Sequence, residues 1–176
     1  MFHAEQFVVN TLIINNITEV YMEVHPNQEL LNLLADHPLF RELEFRERED
    51  LASMMMEKKY DSGAEIFREG DPGGELMILG AGSVEVQKQR SHGSGRVVIA
   101  RFDRGGVIGE MSLVDRMPRS ASVVSVQPTR AWVMSQSLFD DILMTRPDLG
   151  VKILKGISSL LSQRLRNTSG WFADVF

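Results

Sequence analysis

The chain has 176 residues, 43% of them hydrophobic and 24% charged, with a net charge of −5 and no cysteine. That is the length and composition of one ordinary globular domain with room for a small appendage. The acidic balance argues against broad electrostatic binding to nucleic acid or to an anionic membrane, and the missing cysteine excludes disulfides, thiolate nucleophiles and thiolate metal sites.

The first segment, residues 1–24, is rich in β-branched residues (VVNTLIINNITEV) and fits a strand pair or an amphipathic helix. It reads as an extension, either packed on the main domain or serving as a partner contact. It has no basic n-region and carries Glu5, unlike a secretory signal, and no stretch of the chain has the length of a transmembrane helix. With the missing cysteine, this suits a cytoplasmic protein. Next, HPNQELLNLLADHPLF (25–40) has helical spacing at Leu30, Leu31, Leu33 and Leu34, with Pro26 at the start and Pro38 as a stop. A second helix is predicted over about 46–55, with Met54, Met55 and Met56 as core filler.

From Tyr60 the pattern changes to short runs divided by SG, DPGG and GAG, turn signals at strand spacing. Val84 and Val86 alternate with polar neighbours, QKQRSHGSGR reads as a polar hairpin loop, and VVIARF is the next strand. EMSLV reads as a short helical turn, and SASVVSV and TRAWVM as two further strands with Pro128 between them. Helix returns at Ser137, predicted as the N-cap with Asp140 three residues on. RPDLG restarts a longer helix with Pro147 in its first turn and a stripe of Ile153, Leu154, Ile157, Leu160, Leu161, Leu165 and Thr168. The fold class is therefore α+β: an antiparallel β-roll, jelly-roll-like, flanked by N-terminal helices and two C-terminal helices. The predicted organisation is an extension (1–24), helices and roll (25–136), and C-terminal helices (137–176).

Catalytic options are thin. The four histidines are scattered without metal-ligand spacing, and there is no GxSxG, phosphate-binding P-loop or paired-acid motif. One stretch stands out: Gly105, then Gly109-Glu110, then eight residues, then Arg119-Ser120-Ala121. A carboxylate and a guanidinium at the two ends of a tight loop suit the two ends of one small ligand.

This ordered combination, with the glycine turns before it and the strands after it, resembles the cyclic-nucleotide-binding domain. That family includes bacterial catabolite activators, regulatory subunits of cAMP-dependent kinase and gated channels. The similarity covers roughly residues 35–170. It implies a β-roll that takes a cyclic mononucleotide in a phosphate-binding cassette. Arg119 would meet the equatorial phosphate oxygens, where a guanidinium fork suits the anion better than a point charge. Ser120 would add a hydroxyl donor and Ala121 a backbone amide. Gly109 would admit the backbone closely, with the Glu110 and Met111 amides and the neighbouring Ser112 facing the phosphate. Glu110 would accept the ribose 2′-hydroxyl, so that a deoxyribose ligand would leave its carboxylate underpaired.

The segment QRLRNTSGW resembles the dimer helix of the catabolite activators. The resemblance implies that Arg164 braces Glu110, Thr168 bonds the adenine amino group and Ser169 reaches the ligand of a second subunit. The alternative is that Thr168 and Ser169 simply end a helix before Gly170. Ser120, where threonine would be the other choice, points to cAMP over cGMP by family analogy, and Ile99 is an apolar ligand contact. The implied protein is a cAMP sensor (alternatively a cGMP sensor) that is not an enzyme and has no metal site. It would dimerise through its last helix and signal to a partner or fused output domain. No recognition-helix unit follows that helix, so direct DNA binding by this chain is not expected. The competing view is a ligand-independent protein-interaction module on the same fold.

Overall fold

The computed structural model describes residues 27–90 and 93–175, and of residues 169–175 the backbone only. The 1–24 extension and residues His3, His25 and His92 lie outside the described residues.

Helix α1 (Gln28–Asp36) opens on Asn27, whose side-chain oxygen accepts from the Glu29 and Leu30 amides at 3.0 and 3.4 Å. It ends before Pro38, as predicted, but the chain does not leave the core there. A 3₁₀ turn (Pro38–Phe40) follows and buries Leu39 and Phe40. Helix α2 (Phe45–Met54) is closed by a capping box between Glu44 and Glu47. Of the three methionines beyond Ser53, Met55 is buried and Met54 packs on the core, while Met56 is exposed.

Eight strands follow: β1 (Met56–Tyr60), β2 (Glu65–Phe67), β3 (Glu75–Ala81), β4 (Val84–Gln89), β5 (Arg96–Phe102), β6 (Val107–Ile108), β7 (Ser122–Ser125) and β8 (Thr129–Ser135). They form two four-stranded antiparallel sheets, β1-β8-β3-β6 and β2-β7-β4-β5. This is the predicted roll, with strands pairing across wide sequence gaps. The predicted hairpin loop is shorter than its polar run, because β4 and β5 absorb residues 84–89 and 96–102. β1 begins before the predicted change at Tyr60. Its sequence, MEKKY, has no apolar alternation, and it is a strand because its backbone pairs with β8 from Met56↔Val133 to Tyr60↔Thr129.

Between β6 and β7 lies a short helix, α3 (Glu110–Asp115). Helix α4 (Gln136–Thr145) starts two residues earlier than predicted. Its N-cap is Ser135, the last residue of β8, whose hydroxyl accepts from the Leu138 amide at 3.2 Å. Ser137 is already inside the helix, and Asp140 turns away from the cap to Gln136 and Arg116. Helix α5 (Pro147–Val175) runs through Gly170 without stopping, which overturns the alternative that Thr168 and Ser169 end it.

Two apolar cores result. One holds α1, α2, α4 and α5 against the outer face of the β3–β8 sheet, with Trp132, Phe40 and Phe139 at its centre. The other fills the roll with Met77, Leu79, Val84, Ile108, Val123 and Val133. Ile153 and Ile157 of α5 are fully buried in the first core, each contributing about 1.5–3 kcal/mol. Gly156 lets α5 lie directly on the 3₁₀ turn, since a Cβ there would fall 1.8 Å from the Leu39 carbonyl oxygen. Farther along the same stripe, Leu165 is 68% exposed. No helix of the described residues is long and apolar enough to cross a membrane.

Candidate ligand-binding site

The site is built on the loop between β6 and β7. Gly109 takes φ +80°, and a Cβ there would sit 2.3 Å from the Glu75 carbonyl oxygen and 2.8 Å from Arg119 Nη1. Only glycine fits both the left-handed backbone and that approach. Helix α3 starts at Glu110 and ends with Arg116 in the left-handed region (φ 57°), where its amide donates to the Ser112 carbonyl. The chain then returns past Pro118 to Arg119, whose backbone is pinned by Arg119 N–Asp71 O (2.8 Å) and Gly70 N–Arg119 O (2.9 Å).

Arg119 is 8% exposed. Its Nη1 donates to Ser112 Oγ at 2.7 Å and to the Glu75 carbonyl at 2.9 Å, and its Cζ lies 3.5 Å from the centroid of the Phe67 ring. Nη2 and Nε have no hydrogen-bond partner among the described residues. One edge of the fork is thus fixed to the protein, and the other is not. Burial lowers the pKa of this guanidinium, opposed by the charges of Glu75, Tyr60 and Glu110. Ser112 Oγ also lies 3.4 Å from the Gly74 amide and 3.2 Å from the Gly109 carbonyl, so it joins the cassette to the turn before β3. At Gly73 a Cβ would collide with Ser112, at 2.2 Å.

The other end of the cassette is Glu110, 3% exposed. Its carboxylate is paired with Arg164 of α5, which also donates from Nη2 to the Val107 carbonyl at 2.7 Å and lies 4.8 Å from the Phe102 ring centroid. The bracing of Glu110 by Arg164, expected from the resemblance, is thus present. The opposed guanidinium offsets part of the cost of burying this carboxylate. His37, at the start of the 3₁₀ turn, has its pKa lowered, first by burial and then by the Arg164 charge.

The remaining expected residues spread around this axis. Met111 and Ser120 are exposed and touch, with Ser120 Oγ 3.7 Å from Met111 Sδ, and Ala121 is half-buried. Ile99 is 58% exposed and stands at the bulge where the β4–β5 ladder skips from Val98 to Ala100. Thr168 is exposed one turn beyond Arg164, and its hydroxyl donates to the Arg164 carbonyl at 2.9 Å. The Ser169 side chain lies outside the described residues. Sequence reasoning missed Phe67, Phe102 and the Glu75 carbonyl. The first two look like core aromatics in sequence, and a carbonyl has no signature; only the glycines at 73 and 74 signalled close approach. Among the described residues no group of three or more His, Asp or Glu is placed to hold a metal ion.

A family model described as the cyclic nucleotide-binding domain matches residues 57–146, just over half of the chain, including both ends of the cassette. The chain belongs to this family. It is 32% identical over 111 residues to a cAMP-dependent protein kinase regulatory subunit of Blastocladiella emersonii, an overlap of 63% of this chain and 27% of that protein. With a CRP-like cAMP-activated global transcriptional regulator of Mycobacterium tuberculosis it shares 25% identity over 143 residues, 81% of this chain and 62% of the regulator. The chain spans about a quarter of the length of the first kinase regulatory subunits it matches. Among solved structures, a cyclic nucleotide-binding domain from Methylobacillus flagellatus KT aligns with TM-score 0.76 and 32% identity, covering 85% of this chain and 83% of that one. The catabolite activator protein of Thermus thermophilus aligns with TM-score 0.69 and 28% identity, covering 78% and 62%.

Proposed function

We propose that this cyclic nucleotide-binding domain is a cAMP sensor that transmits binding through α5. The observation that carries the proposal is the division of labour at Arg119: Nη1 is held by Ser112 and Glu75, and the Nη2–Nε edge is left for a phosphodiester. Glu110, paired with Arg164, would take the ribose 2′-hydroxyl, Ser120 and the Ala121 amide would complete the phosphate cradle, and Ile99 would cover the base. Kinase regulatory subunits and cAMP-activated regulators among the relatives favour cAMP over cGMP. The role is regulatory, with residues 25–136 as receptor and 137–176 as transmitter.

Because Glu110 reaches α5, ligand contact at the ribose and the position of that helix are one equilibrium. A usable coupling is on the order of 1–3 kcal/mol. The output is a partner protein or fused domain. The far half of α5, with Leu165 exposed, is the proposed contact with a second copy, where Thr168 and Ser169 would reach the base. Titration calorimetry with cAMP, cGMP and 2′-deoxy-cAMP tests the sensor: cAMP binding at micromolar or tighter affinity, weakened by loss of the 2′-hydroxyl, is expected. Absence of binding by both nucleotides would leave the fold as an interaction module. Sedimentation of the wild type and of Leu165→Asp tests the dimer, which the substitution is expected to dissociate.

A further inference from the structure

The two sheets end in four edge strands, β1, β6, β2 and β5. Three of them are guarded. β6 and β2 are two and three residues long, and β1 carries Glu57, Lys58 and Lys59. β5 is seven residues long, and among the described residues it pairs with β4 alone. Its Val97, Val98 and Ile99 are exposed, and the arginines that flank them, Arg96 and Arg101, are tied to Glu65 and Glu85. Val98 stands opposite Gln87 on the outer face of the sheet, because Val84 and Val86 take the inner one. A ligand inside the roll does not cover it. An apolar edge of this length is a template for one more strand.

The chain enters the described structure beside this edge. Asn27 caps α1, and Glu29, two residues on, lies 2.6 Å from Arg130 and 3.7 Å from Arg104, just beyond the end of β5 at Phe102. A Cβ on Gly105 would lie 3.9 Å from Leu33 Cδ2, so α1 lies along the turn that follows β5. The segment ahead of α1, residues 1–26, contains no glycine, lysine or arginine, and its only proline is Pro26. Residues 8–17 (VVNTLIINNI) are uncharged and rich in β-branched side chains, and Glu19 and Glu23 follow them. Fully extended, 8–17 would span about 33 Å against about 23 Å for β5, and 18–26 are enough to reach Asn27. Laid along β5 in the same direction, the segment brings its two glutamates to the end that carries Arg101 and Arg104.

We propose that residues 8–17 add to β5 as a parallel fifth strand of the β2-β7-β4-β5 sheet, so that the chain covers its own open edge. The apolar side chains of the segment meet Val97 and Val98, and Glu19 and Glu23 meet Arg101 and Arg104. The proposal goes beyond the cyclic-nucleotide reading and does not depend on it.

The chain has no cysteine, so introduced pairs report proximity without background. In the full chain, Val98→Cys is combined in turn with Leu12→Cys, Ile13→Cys and Ile14→Cys, and Lys59→Cys on the β1 edge replaces Val98→Cys as the control. Oxidation of dilute protein is expected to give an intrachain disulfide in at least one Val98 pairing, at about 10-fold the yield of its Lys59 control. Independently, the double variant Ile13→Pro, Ile14→Pro is expected to exchange its β5 amide hydrogens about 10-fold faster than wild type, with circular dichroism of the roll retained. Disulfide-linked dimers in place of the intrachain product would assign the edge to a second copy. Equal yields with Lys59, or β5 exchange unchanged by the prolines, would leave the edge open. Each of these results overturns the proposal. Neither readout uses a nucleotide, so a chain that binds neither cAMP nor cGMP still decides it.

Discussion

The two ends of the cassette differ in what holds them. Arg119 is fixed entirely from within the roll and the turns that close it, by Phe67, the Glu75 carbonyl and Ser112. Glu110, nine residues earlier, is held by Arg164 from a helix outside the roll. One end is fixed within the roll, and the other is joined to α5. Under the proposed function, a ligand that spans both ends would satisfy the first to bind and disturb the second to signal. The contrast explains why a buried carboxylate is tolerated at Glu110: its partner belongs to the element that would carry the message.

The largest expected effect breaks the rigid end. Arg119→Ala should weaken cAMP binding by at least about 100-fold, the loss of two charge-assisted hydrogen bonds, while circular dichroism still reports the folded roll. Tight binding by that variant would remove Arg119 from its role. Next is the joint. Glu110→Gln should weaken cAMP about 10–100-fold and shrink the preference for cAMP over 2′-deoxy-cAMP, because an amide meets the hydroxyl without charge. Arg164→Met should cost less, about 10-fold, keep that preference, and raise hydrogen exchange in the second half of α5. If R119A raised exchange in α5 as much as R164M, the two ends would not be distinct.

Gly156→Ala sharpens the comparison from the far side. The added methyl would drive α5 from the Leu39 carbonyl, and we expect a loss of about 1–3 kcal/mol in thermal unfolding with the Arg119 end still able to bind. The smallest effect is electrostatic. His37 has a folded-state pKa below 6.5, so the unfolded chain takes its proton first as pH falls. Its contribution is present above pH 6.5 and is lost as pH drops through the interval down to the folded value. His37→Asn, which keeps an acceptor for the Leu39 amide, should flatten that part of the stability curve, and Arg164→Met should narrow the interval by removing the like charge.

Much of the site was legible because its ends are close in the chain. Gly109, Glu110 and Arg119 to Ala121 form one contiguous pattern, and the turn glycines around it declare a roll. Helix spacing from Leu30 to Leu34 and from Ile153 to Leu161 was equally plain, since burial on one face imposes the period. Strand β1 was not legible, because its lysines and glutamate show no alternation and pairing with β8 alone makes it a strand. The cap of α4 was misplaced by two residues, because three serine or glutamine side chains stand together there and the end of β8 chooses among them.

By itself, then, the chain determined its class, its cassette pattern and the two charges at the ends of that pattern, since these depend on local spacing and residue chemistry. Only the tertiary structure decided what those charges are attached to. Arg119 is oriented by an aromatic ring and a carbonyl 52 and 44 positions earlier. Glu110 is joined to a helix 54 positions later. Contacts of that range come from how the sheets close and the helices pack on them, and backbone acceptors leave no mark in a sequence.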